Sequence, residues 1–309
     1  MILCVNANAA IDKTVVVSPF RLNAIHRPRQ VLALAGGKGA NVARALQRLG
    51  EHPVVAGWGG GYNGQFIAAG LHAEGIETAF VELAGESRTC LSILDPAAGT
   101  LTEIYEQGEP VPAAALAAFT DLFREIAGRY AAITLSGTLP PGVPTGFYSQ
   151  LLATARAAGV PGLLDSSGEA LRQGLATGAP LLIKPNTTEF AELVGQKLAS
   201  ATDIAAAATD VALRYGTIVV VSLGAGGLLA ATGGEVVHAR PPQVPIVSAV
   251  GSGDCTLAGI TYGLVRGWPL VDALRYGVAA GTANALSLGA GVFTLEDFER
   301  VRAQVTVTQ

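Results

Sequence analysis

The sequence predicts an α/β protein: a three-layer α/β/α core around a mostly parallel sheet, with a small, discontinuous β-sheet lid over one edge. Three observations carry this. Short apolar runs alternate with helical patterns along most of the chain. Two pairs of strand-like segments break that rhythm with no helix between their members. Glycines, 39 in all, gather where strand-like runs end. Alternation of strand and helix is what a parallel sheet covered on both faces requires.

Parallel strands are expected at 2–7, 53–57, 132–135, 162–165, 181–183 and 218–222, each a short run rich in Val, Ile, Leu or Ala. Between them, helical patterns occupy 40–49, 64–74, 113–126, 144–158, 169–175, 187–194 and 201–214. After Val221 the pattern changes to two strands, 227–231 and 235–239, followed by helices at 252–266, 269–288 and 294–303. The interrupting pairs are 13–17 with 28–34, and 89–95 with 100–105, the latter joined by the turn Pro96-Ala97-Ala98-Gly99. The core is therefore expected from residues 1–10, 35–87 and 108–309, and the lid from 11–34 and 88–107. In α/β sheets ligands bind at the carboxyl ends of the strands, where such a lid would close.

Composition narrows the partners. Half of the residues are apolar and 14% are charged, with a net charge of −4 and no basic run. Neither a nucleic-acid footprint nor a polybasic membrane patch is present, which points to small-molecule partners. Cys4, Cys90 and Cys255 lie far apart without paired spacing, so no disulfide framework or zinc site is expected and a cytoplasmic location fits. The first residues, Met1-Ile2-Leu3-Cys4-Val5, read as a strand rather than a signal peptide. The uncharged stretch 276–293 is short of strongly apolar residues and broken by Gly289 and Gly291, so it reads as a buried helix rather than a membrane span. Its Gly277 and Gly281 would let a second helix approach closely.

Four glycine clusters differ in what they say. Gly59, Gly61 and Gly64 match a dinucleotide fingerprint, but no acidic residue ends a convincing second strand about 20 positions on, so a tight turn bringing backbone near a ligand is the expectation. Gly36-Gly37-Lys38-Gly39-Ala40-Asn41 is not a Walker A loop, because Gly39 follows Lys38. Its glycines still allow backbone N–H groups to approach a polar ligand, with Lys38 and Asn41 offering a cation and an amide. Gly224-Ala225-Gly226-Gly227 is either a hairpin turn or part of a ligand loop.

Val250-Gly251-Ser252-Gly253-Asp254 runs straight into an apolar helix. Unpaired N–H groups and the helix dipole there would hold a phosphate in transit, and Asp254 is placed to accept a hydroxyl proton. A cap on Ser252 or Asp254 would account for one of these residues but not for the two flanking glycines. Cys255 beside them reads as packing. At Lys184-Pro185-Asn186-Thr187-Thr188-Glu189, spacing alone is fully met by a capping box between Asn186 and Glu189, although the same oxygens suit Mg²⁺ carried by a nucleotide.

Together these residues resemble the PfkB-type, ribokinase-like carbohydrate kinases, in their phosphofructokinase and tagatose-phosphate kinase branch. Seven segments match in register: Asn8 to Thr14, Gly36 to Asn41, Ser136 to Gly142, Asp165 to Leu171, Lys184-Pro185-Asn186 with Glu189, Val221 to Gly224 with Gly227, and Val250 to Asp254. The resemblance implies an ATP-dependent, Mg²⁺-requiring kinase acting on a ketohexose phosphate, fructose 1-phosphate first, with tagatose 6-phosphate or fructose 6-phosphate as the alternative. A kinase of neutral sugars or nucleosides would not need Lys38 and Arg88, and a silent sugar-binding protein would not need Asp254.

The resemblance also implies roles. Asp254 is the base, with Gly251, Ser252 and Gly253 forming the anion hole. Asp12, Gly37, Lys38, Asn41, Arg88 and Ser136 bind the sugar phosphate, Arg88 and Ser136 at its existing phosphate. Lys184, Asn186, Ser222, Gly224, Gly227 and Asn284 bind ATP, and Asn186 with Glu189 organises the Mg²⁺, which replaces the capping reading of that pair. Lid sheets in this family can pair between subunits, which implies a homodimer near Val15 and Leu91. Four positions depart from the family pattern. Ala9 stands where proline is usual, Asn63 and Ser248 where aspartate is common, and Arg27 near a lysine that some phosphofructokinases use.

Overall fold

In the computed structural model, which describes residues 1–309, ten strands form one sheet and four form another. β1 (Ile2–Asn6) enters the large sheet, and β2 (Ala10–Val16) and β3 (Gln30–Gly36) leave it for the small one. α1 (Lys38–Arg48), β4 (Pro53–Gly60), α2 (Gly61–Ala73) and β5 (Glu77–Leu83) return to the large sheet; β6 (Arg88–Asp95) and β7 (Thr100–Tyr105) complete the small one. The large sheet resumes through α3 (Ala113–Ile126), β8 (Ala132–Ser136), α4 (Phe147–Ala157), β9 (Gly162–Asp165) and α5 (Gly168–Gln173). Next come β10 (Leu182–Ile183), α6 (Thr187–Val194), α7 (Ala201–Tyr215), β11 (Ile218–Ser222), β12 (Leu228–Ala231) and β13 (Val236–Arg240). α8 (Ser252–Val265), α9 (Leu270–Ala285), α10 (Leu295–Arg302) and β14 (Thr306–Thr308) end the chain.

The large sheet runs β14-β13-β12-β11-β10-β9-β8-β1-β4-β5, parallel from β11 to β5 and antiparallel across β11, β12, β13 and β14. The lid runs β3-β2-β6-β7; two hairpins are joined by the parallel pair β2 and β6. This is the mixed α/β architecture expected, with the smaller sheet separate from the core.

Residues one apart on a strand point to opposite faces, so each core strand feeds two cores. Ile2 and Cys4 join the cluster built with α1, α8, α9 and α10. Leu3 and Val5 join the cluster built with α3, α4 and α7. β11 divides the same way, Val220 to one side and Val219 with Val221 to the other. The predicted buried helix is α9, which lies against α8 with almost no spacing. A Cβ at Gly277 would stand 2.9 Å from the carbonyl oxygen of Thr256, and one at Gly281 would stand 2.9 Å from that of Ser252. No helix is long and apolar enough to cross a membrane.

Two strands were not legible. β5 begins and nearly ends on glutamates and is half-buried along its length because it is the sheet's edge, so it lacks the continuous apolar run of a central strand. β14 has three residues, too few for any period to show. β5 also supplies the second strand beyond Gly59, Gly61 and Gly64, yet no ligand turn results. Glu86 accepts the N–H groups of Tyr62 and Asn63 at 3.1 and 2.9 Å, so the chain's own carboxylate takes the helix start. That corrects the reading of this turn as a place where backbone meets a ligand.

Candidate active site

The carboxyl ends of β1, β8, β9 and β10 open toward the lid, and the chemistry gathers there. Asp254 sits in the first turn of α8, 5% exposed. Its helix begins at Gly251, whose φ of +79° favours glycine, and where a Cβ would meet that of Ala290 at 2.6 Å. No side chain caps this helix. The N–H of Ser252 donates to Ala249, and Ser252 Oγ accepts from Asn284, while the N–H groups of Gly251, Gly253 and Asp254 have no acceptor within the chain. The capping alternative for Ser252 and Asp254 is thereby removed. What stands in its place is three free backbone donors at the positive end of a four-turn helix, the arrangement an anion requires.

Burial above all, with the charge of Asp165, pushes the Asp254 carboxyl up to about 6, against the pull of Lys38, Asn41 and Lys184. A carboxylate so tuned is still ionised at neutral pH and holds a proton more readily than an ordinary aspartate, as a general base should. Asn41 Nδ2 donates to it at 2.9 Å and lies 3.4 Å from Asp12 Oδ2, which the N–H of Gly37 also approaches at 3.4 Å. Burial raises the pKa of Asp12 as well.

Asp165, at the end of β9, carries the cations. Lys38 Nζ lies 3.4 Å from its Oδ1 and Lys184 Nζ 3.1 Å from Oδ2, the latter an ion contact whose angle leaves Oδ2 without a directed hydrogen bond. Burial alone would raise this carboxyl, but Lys184 and Lys38 together hold it below the ordinary range. Asp165 in turn raises the pKa of Lys38 and keeps it charged. Lys184 is aimed at the anion hole: its Nζ stands 3.4 Å from where a Cβ on Gly253 would be.

Two clefts meet at this point. The first, about 260 Å³, is lined by Asp12, Gly37, Lys38, Asn41, Arg88, Gly251, Gly253 and Asp254. The second, about 590 Å³, is lined by Lys38, Arg88, Ser136, Thr138 and Gln107. Lys38 and Arg88 thus stand on both, bringing the expected sugar-phosphate residues together. Arg88 is held by the carbonyls of Asn8 and Glu106, and Ser136 Oγ is buried with no partner in the chain. Buried Tyr148 donates to the carbonyls of Ser136 and Gly137 at 3.2 Å and fixes that loop.

Asn186, Glu189, Ser222, Gly224 and Gly227 form a second cluster at the ends of β10 and β11 and line neither cleft. Asn186 bridges to Ser222 in parallel register, and Leu223 to Gly227 closes a tight turn into β12, so the hairpin reading of that turn holds. Asn186 and Glu189 form the full capping box at 2.8 and 2.9 Å. Asn284 departs from its expected role. It is 0% exposed, donates to Val250 and Ser252 and accepts from Gly291 and Val292, so it braces the anion-hole loop from behind and cannot touch a nucleotide.

Sequence reasoning gave no role to Asp165 and missed Arg44. Arg44 lies three residues after Asn41, inside the buried stretch from Gly39 to Leu46 of α1, and a charge among those small and apolar residues was the available signal. Cys4, Cys90 and Cys255 are free and buried, and the raised pKa of Cys255 keeps it an inert thiol.

The model of the pfkB family carbohydrate kinases matches residues 5–297. Among solved structures, Escherichia coli phosphofructokinase-2 in complex with substrates and products is 29% identical, with 98% of each chain covered and a TM-score of 0.92. The tetrameric inhibited form of that enzyme is 29% identical over 98% of each chain, with a TM-score of 0.89. A Thermotoga maritima protein described as a possible 1-phosphofructokinase is 27% identical over 100% of this chain and 99% of its own, with a TM-score of 0.92. With its helix-start donors, its buried aspartate and its paired lysines at the strand ends, the chain belongs to the pfkB family of carbohydrate kinases.

Proposed function

We propose that this kinase phosphorylates a ketohexose phosphate with ATP, converting fructose 1-phosphate to fructose 1,6-bisphosphate. The observation that carries a phosphorylated acceptor is the placement of Lys38 and Arg88 on both clefts, beside the unpartnered Ser136 hydroxyl. A guanidinium and an ammonium lining a cleft match a phosphate, whereas a neutral sugar would leave them facing nothing charged.

In this reading Asp12 and Asn41 hold the sugar, and its reacting hydroxyl lies against Asp254. Asp254 takes the hydroxyl proton, the oxygen bonds to the γ-phosphorus, the bond to the β-phosphate oxygen breaks, and ADP leaves. The N–H groups of Gly251, Gly253 and Asp254, with Lys184, offset charge on the phosphoryl group in flight. Ser222, Gly224 and Gly227 line the nucleotide side. Asn186 and Glu189 would hold Mg²⁺: each keeps oxygen lone pairs beyond the capping box, and no cluster of three metal-ligating acids, histidines or cysteines exists. That sparse donor set fits an ion that arrives on nucleotide phosphates and keeps most of its waters; bound there, it would neutralise phosphate charge.

The test is ADP release over a panel of sugars. Fructose 1-phosphate, tagatose 6-phosphate and fructose 6-phosphate are expected to turn over, the first fastest. Turnover with unphosphorylated sugars or nucleosides alone would remove the role given to Arg88, and ATP binding without any turnover would make the protein a sugar-binding one. The lid supports a homodimer. Its face turned from the cleft carries Val15, Leu91, Val31 at 50% and Ile104 at 56% exposure. Solution scattering should give twice the mass of one 31.4 kDa chain, and a monomer at micromolar concentration would refute the pairing.

A further inference from the structure

Arg44 is 2% exposed and is among the largest fully buried side chains of the molecule. A buried guanidinium is tolerable only with its donors matched, and here they reach four different parts of the chain. Nε donates to Glu74 on the loop after α2 at 2.5 Å. Nη1 donates to the carbonyl of Ala290 at 2.9 Å and to Asn41 Oδ1 at 3.2 Å. Nη2 donates to the carbonyl of Ala35 at 2.5 Å.

Three of those contacts bear on the chemistry. Ala35 lies in β3 directly before Gly36 and Gly37, and Ala290 is the residue against which Gly251 packs. The third is more direct. An amide has one accepting end and one donating end. With Oδ1 of Asn41 taken by Arg44, Nδ2 must face the other way, and there it meets Asp254 at 2.9 Å and Asp12 at 3.4 Å. A flipped amide would turn its oxygen toward two carboxylates.

We infer that Arg44 is a positioning residue for phosphoryl transfer, orienting the Asn41 amide so that it donates to Asp254. The inference rests on the reading of Asp254 as the base. Lysine cannot replace Arg44, because a point charge on a flexible stem has no rigid fork to span Asn41, Ala290 and Ala35 at once. Other charges also face Asp254: Lys38 from α1, Asp165 from the end of β9 and Lys184 from beyond β10, with Asp12 of β2 across Asn41. None of these is hydrogen-bonded to Arg44; its charge does pull the Asp12 pKa down, and Arg44→Lys retains that charge.

The experiment compares Arg44→Lys with Glu74→Gln, which removes a different partner of the same guanidinium. Aspartate carboxyl carbons are labelled with ¹³C, and the resonance lost in Asp254→Asn identifies Asp254. In Arg44→Lys the Asp254 titration midpoint should rise by about one pH unit, because a donor to the ionised form is lost. Its kcat should fall about a hundredfold with the KM for ATP unchanged. Glu74→Gln should lower the melting temperature but leave the midpoint in place and kcat within about twofold. If Arg44→Lys does not fold, Arg44→Met combined with Glu74→Met replaces the buried pair by apolar chains of similar length and carries the same expectation. A folded Arg44 variant with an unmoved midpoint and normal kcat, or equal effects from Glu74→Gln, would overturn the inference. A wild-type protein that turns over no sugar phosphate while Arg44→Lys still moves the midpoint would refute the kinase substrate and leave the positioning role standing.

Discussion

Asp254→Asn lowers kcat by about two to four orders of magnitude while ATP still binds, because the amide cannot take the proton of the acceptor hydroxyl. The carboxyl it replaces is buried and titrates at about 6. Wild-type kcat/KM should therefore fall tenfold per pH unit below that value, and the residual rate of the variant should lose this limb. Stability moves the other way. A carboxyl whose pKa is raised in the folded state favours folding while it is protonated, and that contribution is lost as pH rises through about 6. At pH 8 the wild type therefore holds a buried negative charge that the variant lacks. Asp254→Asn should be more stable there, by up to about 3 kcal/mol for a displacement of roughly two units. Thermal melting at pH 5 and pH 8 checks this: the gain should be larger at pH 8. A near-normal rate, or an acid limb that survives in the variant, would take the base away from Asp254.

Asp165→Asn has the second large effect, for the opposite electrostatic reason. Asp165 is buried between Lys38 and Lys184, at 3.4 and 3.1 Å, and Lys184 is itself buried. Neutralising the carboxylate leaves two like charges near one point with no counter-ion. Removing one partner of a buried ion pair costs about 3–5 kcal/mol, which corresponds to a drop of on the order of 10 °C in melting temperature for a chain of this size. The cost should depend on pH. Because the folded state holds Asp165 ionised below the ordinary carboxylate range, its contribution is present above about pH 4 and disappears as pH falls through the lowered value. Wild type and variant should therefore converge in stability in strong acid. Activity should fall as well, since Lys184 would no longer be aimed at Gly253. A variant that melts with the wild type at pH 7 would show that the lysines need no anchor.

Much of the fold was readable because its signals are local. The central strands β1, β8, β9 and β11 are buried on both faces, so each is a plain apolar run. The expected helices 187–194 and 201–214 match α6 and α7, which open on capping boxes, Asn186 with Glu189 and Ser200 with Asp203, and end at left-handed Gly195 and Gly216. β5 was hidden because an edge strand is apolar on one side only. The site divides in the same way. Glycines beside a helix start are visible in one dimension, so the Gly251–Asp254 loop and the Gly36–Asn41 loop stood out. Asn284 misled, since the resemblance assigned it to ATP, whereas the carbonyl of Val250 and the amides of Gly291 and Val292 surround it.

What the sequence by itself determined is the class of protein and the loops that carry its candidate reacting groups. Strand–helix alternation, two helix-free interruptions and a Gly-Ser-Gly-Asp helix start are written in consecutive residues, and their physics acts over one turn or one strand. The tertiary structure alone decided how those groups are tuned. Asp254 is brought beside Asn41, 213 residues away, and Lys38 beside Asp165, 127 residues away. Burial and electrostatic partnership depend on distance in space, which the packing of α1, α8 and the strand ends creates. The same packing makes Arg44, an ordinary charge on a helix in one dimension, the residue that turns Asn41 toward the base.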